Sequence, residues 1–337
     1  MGRAAEFFTP ILQAQCRAAE VVCLSAERSG YAHFEAARSA QARATVAAVL
    51  RCLRILLSAA PDAVYLPVSQ WGIPLARDVL ITMLARAAGA TRVLHLHGAQ
   101  LPDRLASSRL LRSALSGARW IVLSEEVAAQ LRSSGCRTRS ITVVRNPAPL
   151  TVTSRRPGPP GVLRVGWLGT MCRAKGFDVL CDAVEMLKGR GVQVDFRVAG
   201  MRLDVSAADM SCVDEDLGVL ERADVTSFWA QVDAFVLPAR WAEGLPFVLL
   251  EGLQAGCAVG ATPSSGCAEL FSQGCVDPVE ATVNSVANFL MACRDDLQGI
   301  RSRQQKAWAE LRGLYEPESV ERSFVRFWEE SQLAQTS

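Results

Sequence analysis

The sequence has 337 residues, of which 50% are hydrophobic, and it carries 36 Lys and Arg against 34 Asp and Glu. This length suffices for two domains with their own cores, and no uncharged apolar run approaches the roughly 20 residues of a membrane-spanning helix or forms a signal peptide. The 11 cysteines show no paired spacing typical of a metal site. We therefore expect reduced thiols, no bound metal and a cytoplasmic location.

Charge is distributed unevenly along the chain. Residues 1–156 contain 20 Arg and no Lys against 9 Asp and Glu, a net charge of +11, whereas the rest contains 16 basic and 25 acidic residues, a net charge of −9. Two interpretations stay open: a solvated, Arg-biased surface, or a basic face for an anionic acceptor or a membrane surface. We expect no nucleic-acid partner, because no aromatic residues interleave with the arginines.

Short apolar runs alternate with amphipathic stretches, which predicts parallel strands separated by helices. In chain order we expect strands near residues 21–24, 63–66, 92–97, 120–123 and 141–144, then near 163–168, 194–199, 234–237 and 258–260. Between the two sets, residues 153–161 have the Pro and Gly density of a linker. The prediction is an α/β chain with two Rossmann-like, doubly wound domains, 1–155 and 156–337, whose last helix packs back on the first domain.

A helix predicted within residues 36–57 has two possible roles. Its arginines lie beside an apolar arc on the helical wheel: Arg43, Arg51 and Arg54 next to Val46, Val49, Leu50, Leu53 and Leu56. The pattern predicts either an amphipathic helix packed on the core or a face that contacts a membrane surface.

Two carboxylates, Glu243 and Glu251, stand eight positions apart around a predicted helix start. The strand before them ends at Pro238, and Pro246 suits the first turn of a helix. Glu243 therefore lies on the loop that leaves the carboxyl end of the strand, and Glu251 lies just over one turn into the helix. Both can face the crevice where open α/β sheets bind ligands, although such a pair is also typical of solvated surface glutamates.

The order of motifs in the second half resembles glycosyltransferase family 4. The series comprises Val-Gly-Trp-Leu-Gly at 165–169, Arg-Ala-Lys-Gly-Phe-Asp at 173–178, Phe-Arg-Val-Ala-Gly at 196–200, Leu-Gly at 217–218, Val-Asp-Ala-Phe-Val-Leu-Pro at 232–238, and the two glutamates. The first half agrees through Leu-His-Leu-His-Gly at 94–98, Val-Leu-Ser-Glu-Glu at 122–126 and Val-Val-Arg-Asn-Pro at 143–147. This family consists of retaining enzymes that use nucleotide-sugar donors and have two Rossmann-like domains, an architecture called GT-B.

The resemblance implies a donor site in the second half. By analogy, Glu251 holds the ribose hydroxyls, Glu243 contacts the donor sugar, and the helix start at Leu245, Pro246 and Phe247 faces a phosphate with free N–H groups, of which Pro246 has none. The remaining positions implied in donor binding are Gly169, Gly200, Gly218, Val219 and Gly244.

Two cations are implied in stabilising the departing diphosphate. Lys175 matches the family's lysine, although a solvated lysine at a helix start is the alternative. Trp167 follows Gly166 where family members often have an Arg, and Arg173 is the natural substitute. Both cations can reach the phosphates only if this loop is not helical.

His97 is implied to lie against the donor sugar and pyrophosphate. It ends a predicted strand before Gly98, and it would orient and polarise the donor without attacking it. His95 points to the same face of the strand one pleat deeper, and we expect it to be a core histidine.

The implied function is a retaining hexosyltransferase of polysaccharide or glycolipid biosynthesis that requires no metal or cofactor. Its donor would be a UDP-, GDP- or ADP-sugar, its acceptor a glycan or a polyprenyl-linked glycan, and its place the cytoplasm, with peripheral contact to the inner face of the membrane through the Arg-rich first domain. A sugar-nucleotide epimerase-like enzyme and a truncated, non-catalytic nucleotide-binding protein are the alternatives.

The opening residues, Met-Gly-Arg-Ala-Ala-Glu-Phe-Phe, resemble the middle of the family's first Gly-rich turn. We therefore expect the first domain to lack its first strand. A chain extended upstream is expected to be more active or more soluble than this one.

Overall fold

The computed structural model describes residues 3–16, 19–22, 34–148 and 155–333. The chain divides into two compact units. The first unit comprises Met1–Arg145 together with Glu321–Ser337, and the second unit comprises Asn146–Val320. The predicted domain boundary at 155/156 stays a prediction.

The first unit is built on a parallel sheet of four strands in the order β1-β2-β3-β4. Its elements in chain order are α1 (Arg3–Gln15), α2 (Phe34–Ala59), β1 (Ala63–Val68), α3 (Gly72–Ala87), β2 (Thr91–Leu96), α4 (Leu101–Ser107), α5 (Arg109–Leu115), β3 (Arg119–Val122), α6 (Glu125–Ser133) and β4 (Ser140–Val143). The last helix of the chain, α13 (Pro317–Leu333), enters this unit at Glu321.

The two faces of this sheet are packed differently. Leu94, Leu96 and Trp120 alternate along β2 and β3 and form the core with the helices on one face. On the other face, the ring of Phe8 from α1 contacts the rings of His95 and Phe324, each with a centroid distance of 5.0 Å. Because both faces are covered, the central strands read as nearly continuous apolar runs.

The second unit contains a parallel sheet of six strands in the order β10-β9-β8-β5-β6-β7. Its strands are β5 (Leu163–Leu168), β6 (Val194–Ala199), β7 (Glu215–Asp216), β8 (Ala234–Leu237), β9 (Ala258–Ala261) and β10 (Asp277–Pro278). Its helices are α7 (Phe177–Gly189), α8 (Arg222–Trp229), α9 (Phe247–Gln254), α10 (Ala268–Ser272), α11 (Val283–Asp295) and α12 (Leu297–Leu311), with 3₁₀ turns at Arg173–Lys175, Ser265–Cys267 and Arg312–Leu314.

The predicted fold class, an α/β chain with two parallel sheets, is confirmed. Of the strand predicted near residues 21–24, residues 21 and 22 lie outside any strand, and residues 23 and 24 lie outside the described part of the chain. The two-residue strands β7 and β10 were not predicted. Among the described residues, no helix combines the length and the apolar character that crossing a membrane requires.

Helix α2 packs on the core over only part of its predicted apolar arc. Leu56 is buried and Val49 packs against the core, whereas Val46 and Leu50 are 58% and 59% exposed. Core packing therefore does not account for Val46 and Leu50, and a membrane-contacting face of α2 stays a prediction. Arg51 forms an exposed ion pair with Glu20 at 3.1 Å.

Candidate functional site

Three glycines close the carboxyl ends of neighbouring strands in the second unit. Gly169, Gly200 and Gly218 follow β5, β6 and β7, and all three have positive φ, with values of 130°, 138° and 63°. A Cβ on Gly200 would lie 2.0 Å from the carbonyl oxygen of Gly169, so only glycine permits this close approach. The N–H of Gly200 donates to the carbonyl of Gly218 at 2.7 Å. The strands therefore end in a surface of bare backbone at the edge where such sheets bind ligands.

The loop after β5 is packed onto the end of β8. Its 3₁₀ turn, Arg173–Lys175, is followed by Gly176, whose φ is 77°. A Cβ on Gly176 would lie 1.9 Å from the carbonyl oxygen of Pro238, directly after β8. Glycine thus allows two loops from adjacent strands to touch, and this contact fixes the place of Lys175.

Lys175 and Glu243 are brought together, although they are far apart in the sequence. The Nζ of Lys175 lies 3.8 Å from Oε1 of Glu243, and their side chains are 28% and 21% exposed. The same Oε1 accepts a hydrogen bond from Nε1 of Trp241 at 2.9 Å. A cation and an oriented carboxylate are thus presented side by side and stay partly open to a ligand.

Arg173 is directed to other carboxylates than Lys175 is. Its Nη1 lies 3.3 Å from Oδ2 of Asp178 and its Nη2 lies 3.6 Å from Oδ2 of Asp209, while the side chain is 57% exposed. Its backbone N–H donates to Oδ1 of Asp204 at 2.9 Å. The structure therefore does not bring the two predicted cations onto one partner, in keeping with the helical turn between them.

Arg240 is a cation of this region that the sequence analysis missed. Its Nη1 and Nη2 lie 2.6 and 2.9 Å from the two carboxylate oxygens of Asp178. Its N–H donates to the carbonyl of Ala174 at 2.9 Å, and its guanidinium donates to the carbonyl of Arg173. Burial alone would raise the pKa of Asp178, but hydrogen bonds and charge from Arg240 outweigh it and hold that pKa below its ordinary value. Arg240 thereby fastens the turn that carries Lys175.

In the sequence, only the position of Arg240 could have indicated its role, because it lies two residues after Pro238 in the loop before Glu243. Its partner Asp178 lies 62 positions away in the sequence. No local pattern connects two such residues, so the pair emerges only from the fold.

The loop before α9 is held from two sides. Nδ2 of the buried Asn146 donates to the carbonyl of Leu245 at 2.8 Å. Gly266 lies against Gly244, where a Cβ would come within 2.2 Å of the Gly244 carbonyl oxygen. The side chain of Leu245 is buried, whereas Pro246 and Phe247 are half-buried at the start of the helix. These contacts hold the loop before α9, and with it the start of the helix, in one position.

Glu251 is the fifth residue of α9 and is only 6% exposed. Its Oε2 accepts a hydrogen bond from Nε1 of Trp229 at 3.3 Å. Burial of a carboxylate is unfavourable unless hydrogen bonds compensate the lost solvation. The hydrogen bond from Trp229 provides part of this compensation. Val219, in contrast, is 75% exposed.

His97 follows β2 in the first unit, whereas the other predicted site residues belong to the second. Its ring lies 3.9 Å from that of His95, between centroids. His95 is fully buried, and its Nδ1 lies 2.5 Å from the hydroxyl oxygen of Tyr65. Burial, with a further contribution from His97, lowers the pKa of His95 well below its ordinary value. His95 is therefore a neutral core histidine, and the role of His97 stays a prediction.

Metal-ligating side chains do not cluster in the part of the chain that the structure describes. No group of three or more His, Cys, Asp or Glu residues there is placed to hold a metal ion. The ten cysteines described in the structure are free thiols.

Residues 162–298 match the protein-family model described as glycosyl transferases group 1. Among curated proteins, the chain is 26% identical over 208 residues to WcaL of Salmonella typhimurium, which carries the name of a colanic acid biosynthesis glycosyltransferase. That match covers 56% of this chain and 51% of WcaL, so the chain spans about half the length of this relative.

Solved structures share the fold over more of the chain. Anabaena HepE in complex with UDP and glucose has a TM-score of 0.67 at 18% identity, covering 82% of this chain and 80% of HepE. The sucrose-phosphate synthase of Thermosynechococcus elongatus has a TM-score of 0.69 at 14% identity, covering 92% of this chain and 83% of the synthase. At these identities the likeness establishes the fold alone.

Proposed function

We propose that this chain, in which residues 162–298 match the family model of glycosyl transferases group 1, transfers a hexose-type sugar from a nucleotide-sugar donor to a glycan or lipid-linked acceptor. The reaction retains the anomeric configuration and serves the synthesis of a polysaccharide or glycolipid. The name of WcaL, a colanic acid biosynthesis glycosyltransferase, supports a role in polysaccharide biosynthesis. The proposal locates the reaction in the cytoplasm, at the inner face of a membrane.

One observation carries the proposal: Lys175 and Glu243 lie 3.8 Å apart at the carboxyl ends of β5 and β8. A leaving diphosphate needs a cation beside it, and a departing sugar that gains positive charge needs a carboxylate beside it. The close contact between Gly176 and Pro238 brings the loop that carries Lys175 onto the end of β8, the strand that leads to Glu243.

In the proposed mechanism, Lys175 stabilises the diphosphate as the bond to the anomeric carbon breaks. Because the turn is helical, Arg173 is directed to Asp178 and Asp209 and contributes positive charge only at longer range. The start of α9 presents its N–H groups to the phosphates. The acceptor hydroxyl attacks from the face that the diphosphate leaves, and a phosphate oxygen takes its proton. His97 orients the donor in this proposal.

Glu251 is assigned to the ribose of the nucleotide, and Glu243 to the hydroxyls of the sugar. Gly169, Gly200 and Gly218 let the backbone approach the donor closely. Gly244 and Val219 complete the proposed contact surface.

The donor nucleotide is tested by thermal denaturation of the full chain with UDP, GDP, ADP and their sugars. UDP is the first choice, because HepE holds UDP-glucose in a solved structure of the same fold. We expect one nucleotide to raise the melting temperature in proportion to the logarithm of its concentration. Binding of that nucleotide should weaken about tenfold in Glu251→Gln, which keeps an acceptor for Trp229 but loses the carboxylate.

Glu185→Gln is the matched control, since Glu185 is exposed on α7 in the same unit. Equal nucleotide affinities in Glu251→Gln and wild type would refute the assignment of Glu251. Product analysis with and without acceptor then tests the reaction. Inversion at the anomeric carbon contradicts retention, a changed sugar without acceptor indicates an epimerase, and binding without turnover indicates a non-catalytic protein.

A further inference from the structure

Three arginines of the first unit line a small cavity at the amino-terminal edge of its sheet. The cavity has a volume of about 190 Å³ and lies between the end of α3 and the starts of β2 and β3. The cations that line it are Arg86, Arg92 and Arg139, and the lining contains no Asp or Glu among the described residues. We call this cavity the arginine basin. It lies at the edge of the sheet opposite to His97, which follows the carboxyl end of β2.

The hydrogen bonds of two basin arginines go to neutral groups. Nη1 of Arg92 donates to the carbonyl of Ser116 at 2.8 Å, and Nη1 of Arg86 donates to the carbonyl of Ser113 at 3.4 Å. Carbonyl partners orient a guanidinium without neutralising its charge. Burial, and then the charge of Arg86, lower the pKa of Arg92. Arg86 and Arg92 are thus neighbouring cations whose mutual repulsion a bound anion would relieve.

A fourth arginine, Arg119 at the start of β3, strengthens the positive field. It is 7% exposed, and its Nε and Nη2 have no hydrogen-bond partner among the described residues. Its pKa is lowered by burial and then by the charge of Arg139. Positive charge at this edge therefore extends into the interior of the sheet.

An apolar groove of about 630 Å³ runs between α3 and α5 and shares Arg86 with the basin. Its apolar lining is Val79, Met83, Ala87, Leu110, Leu111 and Ala114. Leu110 and Met83 are 84% and 51% exposed. A cavity of concentrated positive charge and a hydrocarbon-lined groove are therefore contiguous.

Exposed apolar residues continue along α3 from the groove. Ile73, Leu80 and Met83 are spaced by seven and three positions, so they lie on one face of the helix. Ile73 and Leu80 are 68% and 44% exposed. Ten residues of helix extend this apolar stripe over about 15 Å. Contiguous apolar surface of this kind marks an interaction site.

We propose that the arginine basin and the α3–α5 groove form a binding site for an anionic membrane lipid. The basin takes the phosphate of the headgroup, and the groove and the α3 stripe take the adjoining hydrocarbon. A phosphate linked through glycerol to acyl chains matches the sharing of Arg86 by the two cavities. This site is distinct from the α2 face, and its occupation does not depend on the proposed transferase function.

The test is co-sedimentation of the full chain with vesicles of phosphatidylcholine, or of phosphatidylcholine mixed with phosphatidylglycerol. We expect binding only to the mixed vesicles, with loss at high salt. Arg86→Gln with Arg139→Gln should weaken binding about 30-fold, and Leu110→Ser should weaken it about fivefold. These three side chains are exposed, so unfolding is not expected, and circular dichroism checks it.

The matched controls lie away from the basin, the groove and α2. Arg104→Gln with Arg132→Gln removes the same charge from the first unit, and Leu314→Ser removes a leucine that is 47% exposed in the second unit. Both controls should bind as wild type does. A loss in the charge control equal to that in the basin variant would reduce the effect to net charge and overturn the proposal.

Three further results would also overturn it. Equal binding by the basin variant and wild type removes the role of the arginines. Stabilisation by inorganic phosphate without any vesicle binding shows a site for a free anion. A wild-type dimer in gel filtration that Leu110→Ser dissociates, again without vesicle binding, shows that a second copy of the chain covers the groove.

Discussion

The ion pair of Lys175 and Glu243 contributes little to stability. Its two charges are 3.8 Å apart and partly solvated, and such pairs stabilise a protein by at most about 1 kcal/mol. In the proposed donor site, Lys175 stabilises the leaving diphosphate and Glu243 contacts the sugar. Stability and activity should therefore respond differently when the pair is broken.

Glu243→Gln is expected to lower kcat about 100-fold while changing the free energy of unfolding by less than about 1 kcal/mol. The amide keeps the size of the side chain and an acceptor for Trp241 but loses the negative charge beside the sugar. Initial rates of transfer and urea unfolding measure the two effects. Glu215→Gln, which breaks the exposed pair with Arg197 at 2.9 Å, is the control and should retain activity.

Arg240 acts through the turn that it fastens, so it is a positioning residue. Arg240→Lys keeps the charge but loses the paired hydrogen bonds to Asp178. We expect the KM for the donor to rise about tenfold with kcat nearly unchanged, because Lys175 would be held less firmly before the donor binds. In the control Arg303→Lys, another exposed arginine paired with a carboxylate, the KM should not change. A fall in kcat alone would contradict this role.

At the scale of elements, the start of β8 is tied to its neighbours by Asp233. Its carboxylate binds Arg164 of β5 at 2.9 Å and Arg301 of α12 at 2.6 Å, and Arg155 lies 2.9 Å away. Burial would raise the pKa of Asp233, but hydrogen bonds and charge from Arg164 and Arg301 lower it to about 2. This cluster anchors, at its amino end, the strand whose carboxyl end leads to Glu243.

The pKa of Asp233 lies below its ordinary value of 3.8 in the folded protein. The folded state therefore binds fewer protons than the unfolded state, and the stabilisation is fully present above that value. It is lost as the pH falls through the folded pKa of about 2. The pKa difference corresponds to about 2 kcal/mol.

Asp233→Asn should lower the free energy of unfolding by about 3 kcal/mol at neutral pH, because it leaves buried arginines without a counter-ion. The variant should also lose the part of the pH dependence that belongs to Asp233. Urea unfolding of the second unit, followed from neutral pH down through the acid range, measures both effects. Asp195→Asn, whose partly exposed carboxylate pairs with Arg197, is the control and should cost less than about 1 kcal/mol.

The long strands could be predicted because strands that are buried on both faces appear in the sequence as continuous apolar runs. Apolar runs located β5, β6 and β8, and the Pro and Gly signals around them located the loops that carry Lys175 and Glu243. The strands β7 and β10 have two residues each, too few for any periodicity, and they form only because a neighbouring strand offers free backbone groups. Arg240 and Asn146 act through partners far away in the sequence, so their contacts could not be predicted.

At the scale of the whole molecule, the two units carry opposite charges. Residues 1–145 and 321–337 have 20 basic and 12 acidic side chains, a net +8, and residues 146–320 have 16 and 22, a net −6. Their buried ionisable groups also differ. The first unit buries His95 as a neutral ring, whereas the second unit buries Asp233 as an anion among arginines. The units should therefore respond to acid over different ranges of pH.

The first unit is expected to lose stability before the second as the pH is lowered. His95 has a folded pKa well below 6.5, its ordinary value, so the unfolded first unit takes up a proton that the folded one excludes. This stabilisation is present above pH 6.5 and declines as the pH falls below it. The stabilisation that comes from Asp233, in contrast, declines only when the pH falls below 3.8.

Urea unfolding monitored by hydrogen exchange and mass spectrometry, at pH 7 and at pH 5, separates the two units by their peptides. Between these values, peptides from β1, β2 and β3 should lose protection at lower urea concentration, while those from β5, β8 and α12 should change little. Equal shifts in both sets of peptides would contradict the assignment. Because protonation of His95 would place a charge in the core beside Phe8 of α1, which in turn contacts Phe324 of α13, the acid response of the first unit reports on the packing of these helices against the sheet.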